Sequence, residues 1–365
     1  MKITLLLLCL LLLLPLAQAQ QLVMDKLTEL AEELKENSGL LNLNGTLITH
    51  HDSDGEASLF EIDPQTGAVT RTVAVTNAEN QDWEDIAQDQ QYIYIGDIGN
   101  NTGSRTDLKI YRIRKSAYAG SSNTVTAEVI AYSYPDQTDF SPSTITHFDA
   151  EALMVLNDSL YIFTKNWENG RSALYSLPKT PGSYQGKKIG EFDTQGLVTG
   201  GTYNAAKEEI MLIGYTPLQA FAFRISGFSG NNVMQGTTER FELVLGLSSQ
   251  IEGICPSNDN GYFISSEGNL GSVATLYHLS FGTTTRSDAA IPEPPLLLYP
   301  NPAREWLQVQ HDKKVLTEIF DAAGRKHIST SHSRINLAHL RRGIYLVRVI
   351  QENGELVKTE KVLIE

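Results

Sequence analysis

Three glutamates recur at equivalent places in the middle of the sequence and could together bind a cation. Glu84, Glu151 and Glu252 each open the same short pattern, in which a small or acidic residue follows and then an aliphatic one. Carboxylates held close together repel one another, which raises their pKa values or demands a positive charge between them. Ca²⁺ takes about six to eight oxygen ligands. Two arrangements fit the pattern: a water-filled channel in which the carboxylates are simply solvated, and a site for calcium or another hard cation.

A second set of polar residues follows the next apolar run of each repeat. Its members are Asp52, Asp97, Asn166, Tyr215 and Glu267, and Asn100 lies in the same loops. Loops on a rigid scaffold are where binding residues concentrate, although Asp and Asn also stabilise turns without any ligand. We predict that these loops surround the mouth of a channel.

Hydrolytic chemistry at such a mouth would need a general base, and His51 is the candidate. His50 and His51 are adjacent in a β-type run, so they point to opposite sides of a strand and are not expected to bind one metal together. The sequence contains no Walker loop, no Cys-x-x-Cys, no His-Glu-x-x-His and no nucleophile elbow.

The same repeat predicts the fold. Each copy of the pattern is followed by an apolar β-type run and then by a run with an aromatic near its centre, and most units close with a more polar strand. The copies start at Ser38, Glu84, Glu151, Gly200 and Glu252. Units of about 40–50 residues with four strands each are typical of a β-propeller. We predict an all-β chain with a five-bladed β-propeller over residues 38–282, or a six-bladed one if two units are merged.

The last unit lacks a fourth strand in the sequence pattern, and residues 20–37 could supply it. Propellers commonly close with a strand from the other end of the chain. The spacing of Leu27, Leu30, Ala31 and Leu34 is nevertheless helical, so both a closing strand and a helix remain open.

Residues 1–19 have the form of a secretory signal peptide. Lys2 precedes an apolar stretch, and Ala17-Gln18-Ala19 fits the small-x-small cleavage pattern. Cleavage would leave no transmembrane span and Cys255 as the single cysteine, which we expect to be buried in the core. The formal net charge of −14 argues against nucleic acid as a partner. We predict a secreted or outer-surface protein that passes through the periplasm.

The composition changes at residues 283–295, which are rich in Thr and Pro and form a predicted linker. Residues 296–365 follow with short strands in the pattern of a small, immunoglobulin-like β-sandwich. Several motifs occur there in order, namely Tyr299-Pro300-Asn301-Pro302, the turn ending at Gly324, Gly343-Ile344-Tyr345, and a basic final strand with Lys358 and Lys361.

These motifs resemble the type A C-terminal sorting domain of the type IX secretion system. The resemblance implies export across an outer membrane by the type IX machinery, after which the domain is removed and the cargo is attached to the surface or released. An accessory sandwich that binds carbohydrate or a neighbouring domain is the alternative.

The middle of the chain is similar to a broader group of exported propellers. The likeness rests on Asp82-Trp83-Glu84-Asp85-Ile86-Ala87 and Gly96-Asp97-Ile98-Gly99-Asn100-Asn101, which resemble segments of phytase-like and esterase-like propellers. Members of this group share a shape more than one activity, and fold alone does not assign function. We therefore expect a binding or interaction module for a small-molecule, glycan or protein ligand, with either Ca²⁺ in its channel or no cofactor. The alternative is a metal-dependent hydrolase of esters, lactones or phosphoesters.

Overall fold

The computed structural model describes residues 21–53, 55–216, 219–243, 250–268, 272–282, 297–311, 314–321, 325–351 and 356–364. The predicted signal peptide and linker, and Gly324 of the sorting motif, lie outside these residues. Within the described ranges, no helix is long and apolar enough to cross a membrane.

The regular secondary structure of the described residues between 21 and 282 is almost all β-strand, which confirms the all-β prediction. In chain order the strands are β1 (Gln21–Glu29), β2 (Asn37–Leu43), β3 (Thr46–His51), β4 (Ser58–Ile62), β5 (Val69–Val75), β6 (Trp83–Gln88), β7 (Tyr92–Asp97), β8 (Lys109–Arg114), β9 (Thr124–Val125), β10 (Glu128–Ser133), β11 (Asp149–Leu156), β12 (Ser159–Lys165), β13 (Ser172–Pro178), β14 (Gly182–Gln185), β15 (Lys187–Phe192), β16 (Leu197–Asn204), β17 (Glu209–Thr216), β18 (Gln219–Ser226), β19 (Thr237–Leu243), β20 (Ile251–Pro256), β21 (Tyr262–Ser266) and β22 (Thr275–Gly282). A short helix α1 (Lys115–Tyr118) and 3-10 turns at Glu32–Leu34 and Val233–Gln235 complete this part.

These strands form five sheets whose first strands make a closed ring. The sheet orders are β2-β3-β4-β5-β9 (sheet I), β6-β7-β8-β10-β14 (sheet II), β11-β12-β13-β15 (sheet III), β16-β17-β18-β19 (sheet IV) and β20-β21-β22-β1 (sheet V). Strand β2 contacts β6, β6 contacts β11, β11 contacts β16, β16 contacts β20, and β20 returns to β2. This radial arrangement of four-stranded units is a propeller-like fold.

The ring is held together by an apolar cluster between each pair of neighbouring sheets. Tyr94 of sheet II packs with Leu160 of sheet III, and Met211 of sheet IV packs with Tyr262 of sheet V. Because both faces of each sheet are covered, a strand such as β7 is buried along nearly its whole length and its sequence is a continuous apolar run rather than an alternating one.

The N-terminal segment is a strand and closes the ring. Strand β1 pairs antiparallel with β22, from Gln21 opposite Gly282 to Glu29 opposite Thr275. The apolar residues that suggested a helix are used differently, because Leu30 and Leu34 are buried between sheets V and I, at and beyond the end of the strand. The local period was therefore overridden by a free sheet edge that needed a partner.

Two short strands link neighbouring sheets. Strand β9 adds to sheet I parallel to β5, and β14 adds to sheet II parallel to β10. Each is contributed by the unit that follows in the chain, so sheets I and II are each joined to the next unit by backbone hydrogen bonds as well as by apolar contacts.

Residues 297–364 form two further sheets around a separate apolar cluster. Their strands are β23 (Leu297–Tyr299), β24 (Trp306–Gln310), β25 (Val315–Asp321), β26 (Lys326–Thr330), β27 (Arg334–Asn336), β28 (Gly343–Gln351) and β29 (Leu356–Ile364), in the orders β23-β24-β27 and β26-β25-β28-β29. Tyr345 of the sorting motif is buried in this cluster. Gly343 begins β28, and Lys358 and Lys361 lie in β29.

Candidate functional site

The recurring glutamates are the extra residues of β-bulges in the innermost strands. The pairing of β6 with β7 skips Glu84, that of β11 with β12 skips Glu151, and that of β20 with β21 skips Glu252. A bulge leaves one residue unpaired and bends the strand, so it can turn a side chain out of the ladder. The repeated pattern in the sequence is thus the signature of a repeated bulge.

The equivalent position in sheet IV is Thr199, because the ladder of β16 with β17 skips that residue. Alignment on Gly200, which the sequence pattern favoured, was one residue too late. In sheet I the ladder is interrupted between Asn37 and Leu40, which places Ser38 at the bulge.

The two hydroxyl members of this register bind the next strand of the ring. Ser38 Oγ donates to the Glu84 carbonyl oxygen at 2.6 Å, and Thr199 donates to the Ile251 carbonyl oxygen. Gly39 permits this approach, since a Cβ there would lie 2.6 Å from the backbone nitrogen of Ile86. The hydroxyls of Ser38 and Thr199 thus join neighbouring inner strands of the ring. Within the described part of the chain, the glutamate side chains of the other three sheets do not make this contact.

Five carboxylates gather at the end of the ring where β6 and β11 begin, and we call them the acidic mouth. They fall into two overlapping groups, Asp52 with Asp82 and Glu84, and Glu84 with Asp149 and Glu151. In each group, one ligand oxygen per residue lies within 4.8 Å of the others. Sequence reasoning missed Asp82 and Asp149. Both stand two residues before a bulged glutamate, so an Asp-x-Glu spacing shared by the two repeats was the available signal.

Glu84 belongs to both groups and has the most unfavourable surroundings. Its side chain is buried, and no described residue donates a hydrogen bond to its carboxylate. Burial raises its pKa well above the usual range, and the charges of Glu151, Asp52, Asp82 and Asp149 raise it further. Burial and the neighbouring acids likewise raise the pKa of Asp82 to about 7. The ionised form of this cluster is therefore costly without a bound cation.

A loop after β7 is shaped around these acids. A Cβ at Gly99 would overlap the carboxylates of Asp82 and Glu84, so glycine leaves that space to the carboxylates. The backbone N–H of Asn100 donates to Asp149 Oδ1 at 2.7 Å. Arg105 supports the loop by donating to the Gly99 carbonyl oxygen at 2.8 Å.

Asp97 and Asn100, which we predicted as mouth residues, hold this loop in place. Asp97 is fully buried and pairs with Arg105 at 2.8 Å and with Lys109 at 3.5 Å. The Asn100 side chain donates to the Phe148 carbonyl oxygen at 3.1 Å and accepts the backbone N–H of Arg105 at 2.9 Å.

A buried lysine lies beside the acidic mouth. Lys165 Nζ donates to Glu151 Oε1 at 2.7 Å, and its ammonium lies 5.1 Å from the ring centroid of Trp167 and 5.7 Å from that of Tyr215. Burial opposes its charge, but Glu151 and Glu252 raise the pKa of Lys165 above its usual range. Lys165 is therefore a protonated internal cation.

Glu252 and Glu267 are on the side of Lys165 and not in either carboxylate group. Gln250 donates to Glu252 Oε1 at 3.3 Å. Burial, followed by the charge of Asp52, raises the pKa of Glu267 to about 7. Of the three glutamates that we predicted as metal ligands, the structure brings Glu84 and Glu151 together and places Glu252 with the lysine.

The two histidines have different environments, as the strand alternation predicted. His51 Nε2 lies 2.6 Å from the Glu33 carbonyl oxygen, and its ring packs on Phe60 with 4.6 Å between centroids. His50 is fully buried edge-to-face with Trp83, and burial lowers its pKa to about 4. Asn166 is buried and accepts the backbone N–H of Glu168 at 3.0 Å.

One further carboxylate closes the ring behind the mouth. Asp85 is fully buried and accepts backbone N–H groups from three strands of the ring, namely Ile86 at 2.8 Å, Leu153 at 2.8 Å and Gly201 at 3.3 Å. Beyond it the ring ends in a cavity of about 90 Å³ lined mostly by apolar residues, among them Cys255. The acidic mouth thus lies at one end of the ring, where β6 and β11 begin, and this apolar cavity lies at the other end.

Residues 297–365 match the protein family described as the secretion system C-terminal sorting domain. The C-terminal domain is a sorting domain. The match confirms the expected sorting domain, which implies export by the type IX system to the cell surface or beyond. The described residues between 21 and 282 have a propeller-like fold. No curated protein matches the sequence.

Several solved structures are similar to the chain at low identity. The PQQ-bound aldose sugar dehydrogenase of Streptomyces coelicolor is 13% identical with a TM-score of 0.44, over 72% of this chain and 99% of that one. PorZ, a surface component of the type-IX secretion system of Porphyromonas gingivalis, is 14% identical with a TM-score of 0.34, over 90% of this chain and 45% of that one. An exo-beta-1,3-galactanase of Phanerochaete chrysosporium is 9% identical with a TM-score of 0.45, over 94% of this chain and 100% of that one. Similarity at this level carries no argument about activity.

Proposed function

We propose that this chain is a cell-surface or secreted binding module whose five sheets are the blades of a five-bladed propeller and whose acidic mouth holds a calcium ion. The ion would be held by Glu84 and Glu151, which we predicted as ligands, with Asp149, Asp82 and Asp52. Bound calcium would fix the relative positions of sheets I, II and III at the face where their loops meet.

The observation that carries the proposal is the environment of Glu84. Its carboxylate is buried, lacks a hydrogen-bond donor among the described residues, and has four acidic neighbours. A buried charge without a partner is unfavourable by several kcal/mol. A divalent cation bound by both carboxylate groups would attract each carboxylate, and this attraction would offset the repulsion among them.

The donor set favours calcium over softer metals. Every residue of the acidic mouth offers carboxylate oxygens, and neither histidine belongs to the groups. Oxygen-only sites suit hard cations, and Ca²⁺ accepts irregular arrangements of ligands whereas Mg²⁺ demands near-ideal octahedral geometry. Lys165 already neutralises the Glu151 side of the mouth, so one ion is expected there.

The placement of the histidines supports binding over hydrolysis. His51 Nε2 is engaged by the Glu33 carbonyl oxygen, and its ring is held against Phe60. A general base must reach the proton that it abstracts, and His50 is enclosed against Trp83. A hydrolase at the mouth would need a base other than these two histidines, such as one of the mouth carboxylates.

The deciding experiment compares Glu84→Gln with the unchanged mature chain in thermal unfolding, with and without calcium. We expect bound calcium in the purified chain and a rise in Tm when calcium is restored after chelation. Glu84→Gln should weaken calcium binding by about tenfold or more, because the ligand charge falls. In chelator, the same substitution should raise Tm, since it removes a buried acid whose ionisation is unfavourable in the folded state.

Glu29→Gln is the matched control, because Glu29 lies on an exposed surface and pairs with Lys26. It should change neither Tm nor calcium binding. If the purified chain contains no metal and calcium does not change its Tm, the proposed calcium site is refuted. Metal-dependent turnover of esters or phosphoesters that Glu151→Gln abolishes would replace the binding module with the hydrolase.

A further inference from the structure

A second cavity lies between sheet III and the loop that joins β10 to β11, and none of its lining residues belongs to the acidic mouth. Its volume is about 290 Å³, and its lining comes from β13, from β15 and from residues 136–148 and 166–169. This is near the lower end of the range of about 300–1,000 Å³ found for small-molecule pockets. Residues 136–148 belong to the loop between β10 and β11, and this loop makes the second repeat the longest in the sequence.

The loop is fastened to its neighbours. Gln137 donates to the Gly103 carbonyl oxygen at 2.6 Å. The Ser143 backbone N–H donates to the carbonyl oxygen of Thr102, which lies in the loop after β7, at 2.8 Å. The Trp167 backbone N–H donates to the Thr146 carbonyl oxygen at 3.0 Å. A wall held at three points is a formed part of the cavity and need not fold around a ligand.

An unpaired donor faces the cavity. Asn166 lines it and is only 2% exposed. Its Oδ1 accepts the backbone N–H of Glu168, whereas its amide nitrogen has no acceptor among the described residues. This nitrogen keeps solvent-accessible surface although the residue is buried, so it can donate to an acceptor on a ligand in the cavity.

The charges around the cavity are paired. Asp136 accepts from the Tyr175 hydroxyl at 2.9 Å and from Lys188 at 2.7 Å. Glu191 pairs with Arg171, and His147 lies 3.0 Å from Glu168. The lining itself holds Asp136, Glu191 and Lys188, a net charge of −1 with His147 neutral, which disfavours an anionic ligand.

We infer that this cavity binds a neutral saccharide of one or two rings, held by the Asn166 amide and stacked on Phe148. Sugar hydroxyls both donate and accept hydrogen bonds, which matches a lining of amides and paired carboxylates. The half-buried Phe148 ring lines the cavity and offers an apolar surface to the C–H face of a sugar. This inference goes beyond the calcium site and does not depend on it.

The test is a binding titration of the full mature chain by calorimetry, with a panel of neutral hexoses, N-acetylhexosamines and their disaccharides. Glucuronate and inorganic phosphate serve as charged probes. We expect at least one neutral saccharide to bind. Asn166→Asp keeps the acceptor for the Glu168 N–H but removes the free donor, and Phe148→Ala removes the stacking surface. Each should lower the affinity by about tenfold, the loss for one favourable contact.

Phe140→Ala is the matched control, because Phe140 belongs to the same loop, is exposed, and does not line the cavity. It should bind as the unchanged chain does, and the Tm of each variant shows that it is folded. Binding only of the charged probes, no binding of any neutral saccharide, or binding that both cavity variants leave intact would each overturn the inference. Each titration is run once with calcium and once with chelator. Saccharide binding in both conditions would support the cavity whether or not the calcium site exists.

Discussion

Lys165 Nζ lies 2.7 Å from Glu151 Oε1, and both side chains are almost fully buried. The charge of Lys165 acts on Glu151 and on Glu252, while Glu151 also belongs to a carboxylate group with Glu84 and Asp149. Lys165 is therefore a built-in cation at the edge of the acidic mouth, and Glu84, which no described residue hydrogen-bonds through its carboxylate, is the acid most in need of an external ion.

Replacing Lys165 with Met should destabilise the metal-free chain and create a second cation site. Removing one partner of a buried ion pair costs about 3–5 kcal/mol because the other charge is left uncompensated. Glu151 and Glu252 would then both lack a cation. We expect a lower free energy of unfolding in urea without metal, and calorimetry should show two calcium ions per chain where the unchanged protein binds one.

Lys26→Met is the matched control for this substitution. Lys26 pairs with Glu29 at the same 2.7 Å, but both side chains are more than half exposed, and such pairs contribute about 0–1 kcal/mol. A Lys165→Met chain that still binds one ion would contradict the role of Lys165 as the second cation. Failure of the unchanged chain to bind any calcium would instead refute the calcium site itself.

The stability of the metal-free chain should fall as the pH rises from about 4 to about 7. Burial raises the folded-state pKa of Asp82 and of Glu267 to about 7, from ordinary values near 4. In this window the folded protein holds protons that the unfolded chain has released, so its stabilisation is complete below the window and is lost across it. The expected loss is roughly 2–4 kcal/mol, after allowance for the partial exposure of both groups.

His50 has the opposite effect on stability, because its folded-state pKa is lowered to about 4: its contribution raises the stability as the pH rises from about 4 to about 6.5. The several acids with raised pKa values outweigh this single group. Urea unfolding at pH 5 and pH 7 measures the effect. Calcium competes with protons for the same carboxylates, so it should raise the stability more at pH 7 than at pH 5. A metal-free stability that is flat or rises between these pH values would contradict the electrostatic account of the mouth.

The sequence predicted those features of the site that repeat, and missed those that depend on register. Glu84 and Glu151 could be found because the same bulge recurs in each unit. Thr199 was misaligned by one residue, since only the strand pairing shows which residue the ladder skips. Lys165 and Asp85 occur once each. Their roles depend on contacts between different sheets, such as the N–H of Gly201 that reaches Asp85, and no pattern within one unit shows them.

Substitutions in β1 should show whether this strand stabilises the propeller-like fold or is a passive N-terminal tail. Met24 packs against the apolar cluster between sheets IV and V, whereas Val23 on the other face is 40% exposed. Met24→Lys should lower the free energy of unfolding by about 2–4 kcal/mol, because a charge would replace a packed apolar side chain. Val23→Lys should change it by less than about 0.5 kcal/mol. Equal effects of the two substitutions in thermal unfolding would contradict closure by β1.

Asn301 of the sorting motif should be needed to hold the last strand of the C-terminal domain. Its amide donates to the Lys361 carbonyl oxygen at 2.8 Å, and its Oδ1 accepts the backbone N–H of Leu363 at 3.0 Å. Asn301→Ala removes both hydrogen bonds, which should cost about 1–3 kcal/mol and loosen β29. We expect faster proteolysis of this domain and less exported protein in the culture medium and on cells. Asn336→Ala, which removes a single contact within its own turn, should have a smaller effect on both. Export of Asn301→Ala at the unchanged level, despite a proteolysed domain, would show that the machinery reads the motif residues and not the folded strand.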